Sequence, residues 1–385
     1  MGVSGFTWAS GEDLDGNVGM LDCLAATEWT ATHISKFGGH PQRITAIGQS
    51  AGAGILYYLT VLDGGRVGHN RPLPFQQAFI SSPAAPQRRN VTARQRQLFD
   101  LVLATANCTT LACLRSTPEP ALLQLNDAVI NQQPSEGGGG TLGPGIGFGP
   151  APDGKRIPDL PLALLRQGRV HRSLARLVVG SMAGEGKETS SDEGMPEAFG
   201  GLVRKTLPGA GEEVVRELLR VYYTPGLERE LAWDWTTDVV FACNGFALGG
   251  ALPGSVRRYV MSTPPAVHGQ DLLCELFPLG WPPRRLVLAA RGGWRPMLTM
   301  MCLFGADYFY VDQEQTPVGD PELAFAFQAK LLALVRGEDL EWPVYGADQH
   351  IYNITDSFEA TELPDKFRER CELVQRLVLD PANGA

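Results

Sequence analysis

The chain has no excess of basic charge, no long apolar run, no leader-like opening segment and no evident internal repeat, and each absence narrows what it does. Its 33 Lys and Arg stand against 42 Asp and Glu, a net charge of −9, which lacks the basic face that non-specific nucleic-acid binding requires. The longest apolar windows, such as Met297 to Phe304, fall well short of the roughly 20 residues that span a bilayer. Met1-Gly2-Val3-Ser4-Gly5-Phe6 has neither a basic head nor an apolar h-region and does not read as a signal peptide. No metal-ligand spacing and no Gly-rich phosphate cradle is found, so neither metal nor cofactor is expected.

What is present is a large apolar chain with one sharp turn in it. At 385 residues, 44% hydrophobic and 19% charged, it is long enough for one large α/β domain or two ordinary ones. Arg43-Ile44-Thr45-Ala46-Ile47 reads as a strand and Ile55-Leu56-Tyr57-Tyr58-Leu59 as a helix, with Gly48-Gln49-Ser50-Ala51-Gly52 between them. A serine at the apex of so tight a strand-to-helix turn has strained dihedrals, and Gly48 and Gly52 let strand and helix close without side-chain clash. Such a match alone is weak in a chain with 45 glycines, and its weight comes from context.

That context is Gly16-Asn17-Val18-Gly19-Met20-Leu21-Asp22, then Ala26 and Trp29, then Phe37-Gly38-Gly39-His40-Pro41 before the turn. With Phe148-Gly149-Pro150, Asp153-Gly154, Trp342-Pro343-Val344-Tyr345-Gly346 and Arg370-Cys371, these segments resemble the type B carboxylesterase and lipase family, which includes cholinesterases and secreted fungal lipases. His40 and His33 replace a family Asp and a common Asn. The resemblance implies an α/β-hydrolase fold over residues 1–385: a mostly parallel sheet flanked by helices, with strands near Arg43, Ala78, Leu177 and Arg258. A helical excursion is expected from Arg94 to Asn131, and Glu213 to Arg220 has helical spacing. Ser135 to Gly140 reads as a loop, and Pro282 to Gln313 as a stretch foreign to the family, either a lid insertion or translated intron.

A serine hydroxyl needs an imidazole to take its proton and a carboxylate to hold that imidazole, and in this fold they follow in the order Ser, acid, His. Of six histidines, His33 and His40 precede Ser50. His69 and His171 lie in polar segments where a solvated surface histidine is expected. His268, in His268-Gly269-Gln270-Asp271 after the strand Arg258-Tyr259-Val260-Met261, is preferred to His350. For the acid, Gly180-Ser181-Met182-Ala183-Gly184-Glu185-Gly186 resembles the family's acid loop and assigns Glu185. Glu193 in Asp192-Glu193-Gly194 is the competitor. Ser81 aligns with a family serine that hydrogen-bonds the acid, or is a strand-end turn residue. The expected activity is hydrolysis of a small-molecule or lipid ester through an acyl-enzyme on Ser50. The alternative is a non-catalytic cholinesterase-like binding protein.

The backbone N–H of Ala51 supplies one oxyanion-hole donor. Met1 to Trp8 resembles a family strand that normally follows the first strands and a Gly-rich loop carrying the other donors, so the resemblance implies an N-terminally truncated chain with impaired turnover. Cys108 and Cys113, among seven cysteines, resemble the family's internal disulfide loop, against two free thiols. Asn90, Asn107 and Asn353 head Asn-x-Ser/Thr acceptor triplets. With the cysteines they point to a secreted glycoprotein; oligomeric state is left open.

Overall fold

Successive short apolar strands separated by helix-forming stretches predict a parallel sheet covered on both faces, and the computed structural model has that arrangement. It describes residues 2–65, 72–87, 91–132, 148–190, 196–271, 321–346 and 348–384. His69, Asn90, Glu193, the loop 135–140 and the stretch 282–313 lie outside these residues.

Among the described residues six strands form one sheet: β1 Thr45–Gln49, β2 Gln77–Ser81, β3 Arg176–Met182, β4 Val256–Met261, β5 His350–Ile354 and β6 Phe358–Glu362, paired in that order. The first five run parallel and β6 returns antiparallel against β5 through a short turn. β2 is buried along its whole length and β3 at all but its first residue, as expected for strands sandwiched between two layers. Alternation sorts their side chains. Ala78, Ile80, Leu177 and Val179 face one core with the helices Ala51–Leu59, Pro161–Arg166 and Cys243–Ala251. Phe79, Val178 and Tyr259 face a second, aromatic core with Phe327 of the helix Pro321–Arg336 and with Trp342.

The expected helical excursion is present as helices Val91–Thr105, Leu111–Arg115 and Glu119–Gln132, and the Glu213 segment lies in the helix Glu212–Tyr222. Two expectations are corrected. Gly2–Phe6 is a helix rather than a strand, because Val3 packs with Val102, Leu125 and Val129 and its amide donates to Asn126 Oδ1 at 2.9 Å. His171 is buried rather than solvated, with Nε2 at 3.0 Å from the Leu62 carbonyl.

Among the described residues two disulfides tie the helical layer. Cys108–Cys113 closes a short loop, as the resemblance implied, and Cys243–Cys371 joins residues 128 apart in sequence. Nothing in the spacing of Cys243 and Cys371 announced that second pairing.

Candidate active site

Each chemistry-bearing side chain stands just beyond the C-terminal end of a strand, where open parallel sheets present their ligand sites. Ser50 directly follows β1, Ser81 ends β2, Glu185 lies three residues after β3, and His268 lies in the loop after β4.

The turn at Ser50 is as sharp as its sequence implies. Ser50 has φ 54° and ψ −120°, a backbone conformation costly for a residue with a Cβ. It is held because the Ser50 amide donates to Ser81 O at 3.0 Å, while its own carbonyl accepts from the amides of Gly54 at 2.8 Å and Ala84 at 3.1 Å. Gly48 is needed: a Cβ there would stand 2.7 Å from backbone atoms of Gly52. Gly52 is not, since a Cβ on it would meet nothing within 4 Å. The expectation that both glycines relieve a clash therefore holds for one of them.

His268 Nε2 lies 2.8 Å from Ser50 Oγ, and its Nδ1 lies 2.5 Å from Glu185 Oε2. Glu185 is fully buried, and its other oxygen accepts from the Met182 amide at 2.7 Å, so the carboxylate is held at both ends. The ring of His268 packs at 4.6 Å centroid distance, tilted by 40°, against Phe241. His350 opens strand β5, in a different loop environment from Ser50.

Ser81 is placed differently from its expectation. Its hydroxyl donates to Asp271 Oδ2, not to Glu185. Asp271 is fully buried and also accepts from Tyr259 Oη at 2.6 Å. Burial pushes its pKa up, the two donated hydrogen bonds and His268 act the other way, and the negative Glu185 adds to the rise. A carboxyl raised in this way keeps its proton to higher pH than usual and adds less negative charge beside Glu185. Room for Tyr259 comes from Gly180, where a Cβ would stand 1.8 Å from its ring. Asp271 was within the quoted His268 segment, but only the fold shows that it meets Ser81.

Ala51, the assigned oxyanion donor, begins the helix Ala51–Leu59, whose first amides lack intrahelical partners. Ala51 and Gly52 are both exposed. Among the acceptor triplets, Asn107 is exposed at a helix end with φ 53°. Asn353 sits inside β5 between two paired strands, its Oδ1 accepting from Ser262 Oγ at 2.6 Å. Among the described residues, Asp238, Cys243 and Cys371 bring carboxylate and sulfur atoms within reach of one metal ion, but there the two sulfurs are bonded to each other.

Carboxylesterase patB of Aspergillus clavatus is 32% identical over 287 residues, covering 69% of this chain and 48% of that protein. A secreted lipase of Arthroderma benhamiae is 24% identical over 393 residues, covering 98% of this chain and 70% of its own length. The chain spans about half the length of the patB relatives it matches. Among solved structures, Aspergillus niger EstA superposes with a TM-score of 0.74 over 98% of this chain and 72% of that one; at 17% identity this likeness establishes the α/β-hydrolase fold alone. A model of the carboxylesterase family matches residues 1–201, more than half of the 385 residues, and the chain therefore belongs to that family.

Proposed function

We propose that the chain is a carboxylic ester hydrolase working through an acyl-enzyme on Ser50. The observation that carries this reading is the unbroken line of hydrogen-bond distances from Ser50 Oγ through both nitrogens of His268 to Glu185, 2.8 and then 2.5 Å. In the first half-reaction Ser50 Oγ attacks the ester carbonyl while His268 Nε2 takes its proton. The tetrahedral oxyanion forms beside the Ala51 amide, and His268 then returns the proton to the departing alcohol. A water molecule, deprotonated by the same nitrogen, releases the acid in the second half. Glu185 fixes the tautomer that leaves Nε2 free to accept and stabilises the imidazolium between the steps.

The substrates are small-molecule or lipid esters. The Ala51 amide, exposed at the start of its helix, is the oxyanion donor this reading uses. Two disulfides fit an oxidising, extracellular setting, with Asn107 as the acceptor best placed for a glycan. No helix among the described residues is long and apolar enough to cross a membrane.

A fluorophosphonate probe tests the reading directly, because it phosphonylates only an activated serine. The expected outcome is one label per chain, on Ser50, lost in Ser50→Ala. A folded chain that takes no label, or is labelled equally after Ser50→Ala, overturns the proposal.

A further inference from the structure

Two in-plane hydrogen bonds, one at each ring nitrogen, do not by themselves fix an imidazole. They leave the ring free to rock about the line joining Nδ1 and Nε2, and His268 stands on a loop with no regular structure of its own. What stops that motion must press on a face of the ring. The Phe241 ring packs against the imidazole, centroids 4.6 Å apart and planes tilted by 40°, and Phe241 is itself 4% exposed.

Phe241 belongs to an unusual element. Thr237–Ala242 is a π-helical turn inserted between the helices Glu228–Thr236 and Cys243–Ala251, with all six residues buried. The wider turn displaces side chains from the register an α-helix would give them, and such turns recur at functional sites. Its inner side touches the loops that carry Glu185 and His268 and the loop after β2, whose Ala84 amide donates to the Ser50 carbonyl. Thr237 Oγ1 accepts from the amide of Gly186, next to Glu185, at 2.9 Å. Val240 O accepts from the amide of Ala85, in the loop after β2, at 3.1 Å. Phe241 covers His268. Its outer side is fixed to the C-terminal helix Asp365–Leu379 by the Cys243–Cys371 disulfide and by Arg370, which pairs with Asp234 and, at 2.8 Å, with Asp238.

We infer that Phe241 is a positioning residue for His268: the π-helical turn holds its ring against the imidazole, keeping both nitrogens aimed at Ser50 and Glu185. This rests on the hydrolase reading, and its consequence is specific. Removing the ring without removing the apolar bulk therefore slows the chemistry more than it weakens substrate binding.

The test compares the full chain with Phe241→Leu and Phe241→Tyr. With p-nitrophenyl acetate, Phe241→Leu is expected to lower kcat on the order of tenfold with KM within about twofold, and to slow fluorophosphonate labelling in parallel. Phe241→Tyr, which keeps the ring, restores both. Independently of turnover, the downfield proton resonance of the His268 Nδ1–H bonded to Glu185 is expected in the parent and in Phe241→Tyr, and broadened or lost in Phe241→Leu. Should Phe241→Leu fail to fold, Phe241→Met takes its place with the same expected readings. An unlabelled parent sinks the hydrolase reading and leaves the resonance to decide the positioning role. A resonance and labelling rate unchanged in the ring-free variant overturn the inference while leaving the hydrolase reading intact.

Discussion

The Nδ1 side of His268 and its Nε2 side are built from different parts of the sheet, and they differ in nearly every physical respect. On the Nδ1 side stand Glu185 and Asp271, both fully buried, carried by the loops after the central strands β3 and β4 and hydrogen-bonded by Met182, Ser81 and Tyr259. On the Nε2 side stands Ser50, half-buried, after β1, which pairs on one side only among the described residues. Ala51 and Gly52 beside it are exposed, and Ile47 within β1 is 49% exposed. The buried side lies in a low-dielectric setting where charge–charge and hydrogen-bond interactions are strong and fixed in advance. The open side is where a substrate has to enter and where water still competes for the oxyanion. On the proposed reading one ring joins a preorganised acid to an accessible nucleophile, and substitutions on the two sides should fail in different ways.

The largest effect is expected on the buried side. In Glu185→Gln the amide oxygen is able to accept from the Met182 amide as Oε1 does now, leaving the NH2 facing Nδ1 and forcing the wrong tautomer on His268. The geometry survives and the proton path does not, so kcat on a p-nitrophenyl ester should fall by about 10³- to 10⁴-fold with the melting temperature little changed. A loss of only a few-fold would show that the buried side does not govern the chemistry.

On the open side the largest effect comes from closing what little space the turn has. Gly48→Ala sets a Cβ 2.7 Å from the carbonyl carbon and oxygen of Gly52 and 2.8 Å from the Ala53 nitrogen. These are backbone atoms, so relief requires the strand and helix to separate. A cost of about 1 to 3 kcal/mol in stability follows from such overpacking. Because the shift moves Ser50 itself, on the order of 100-fold in labelling rate should go with it. Here stability and activity fall together, unlike Glu185→Gln, and thermal melting alongside labelling separates the two patterns.

The two sides were not equally legible in the sequence. Ser50, Glu185 and His268 are local: each lies in a short segment with its own spacing after a strand, and the four parallel strands announce themselves as compact apolar runs. What escaped were relations across long separations. Asp271 meets Ser81 across 190 residues, and Cys243 meets Cys371 across 128. No periodicity encodes such pairings, because they are set by which strands and helices are neighbours in the fold. Phe241 escaped for a different reason, since a π-helical turn has the composition of an ordinary buried helix. β5 and β6 were missed because alternation in a five-residue strand such as His350–Ile354 is hard to tell from a loop. Gly2–Phe6 was misread because Met1 to Trp8 resembles a family strand, although Val3 and Phe6, three residues apart, share a helix face and would fall on opposite sides of a strand.

The smallest expected effect sharpens the comparison most. Gly52 lies in the first turn of the helix Ala51–Leu59, and a Cβ there meets nothing within 4 Å. Glycine in a helix is worse than alanine by roughly 0.5 to 1 kcal/mol because the unfolded chain has more freedom to lose. Gly52→Ala should therefore leave the chain equally stable or slightly more so, with labelling of Ser50 within about twofold of the parent. The same substitution four residues earlier, Gly48→Ala, is expected to damage both, although the two glycines flank the serine symmetrically in sequence. If Gly52→Ala instead slows labelling as severely as Gly48→Ala while melting stays high, the open space beside Gly52 is used during the reaction, and the methyl group has excluded what enters it.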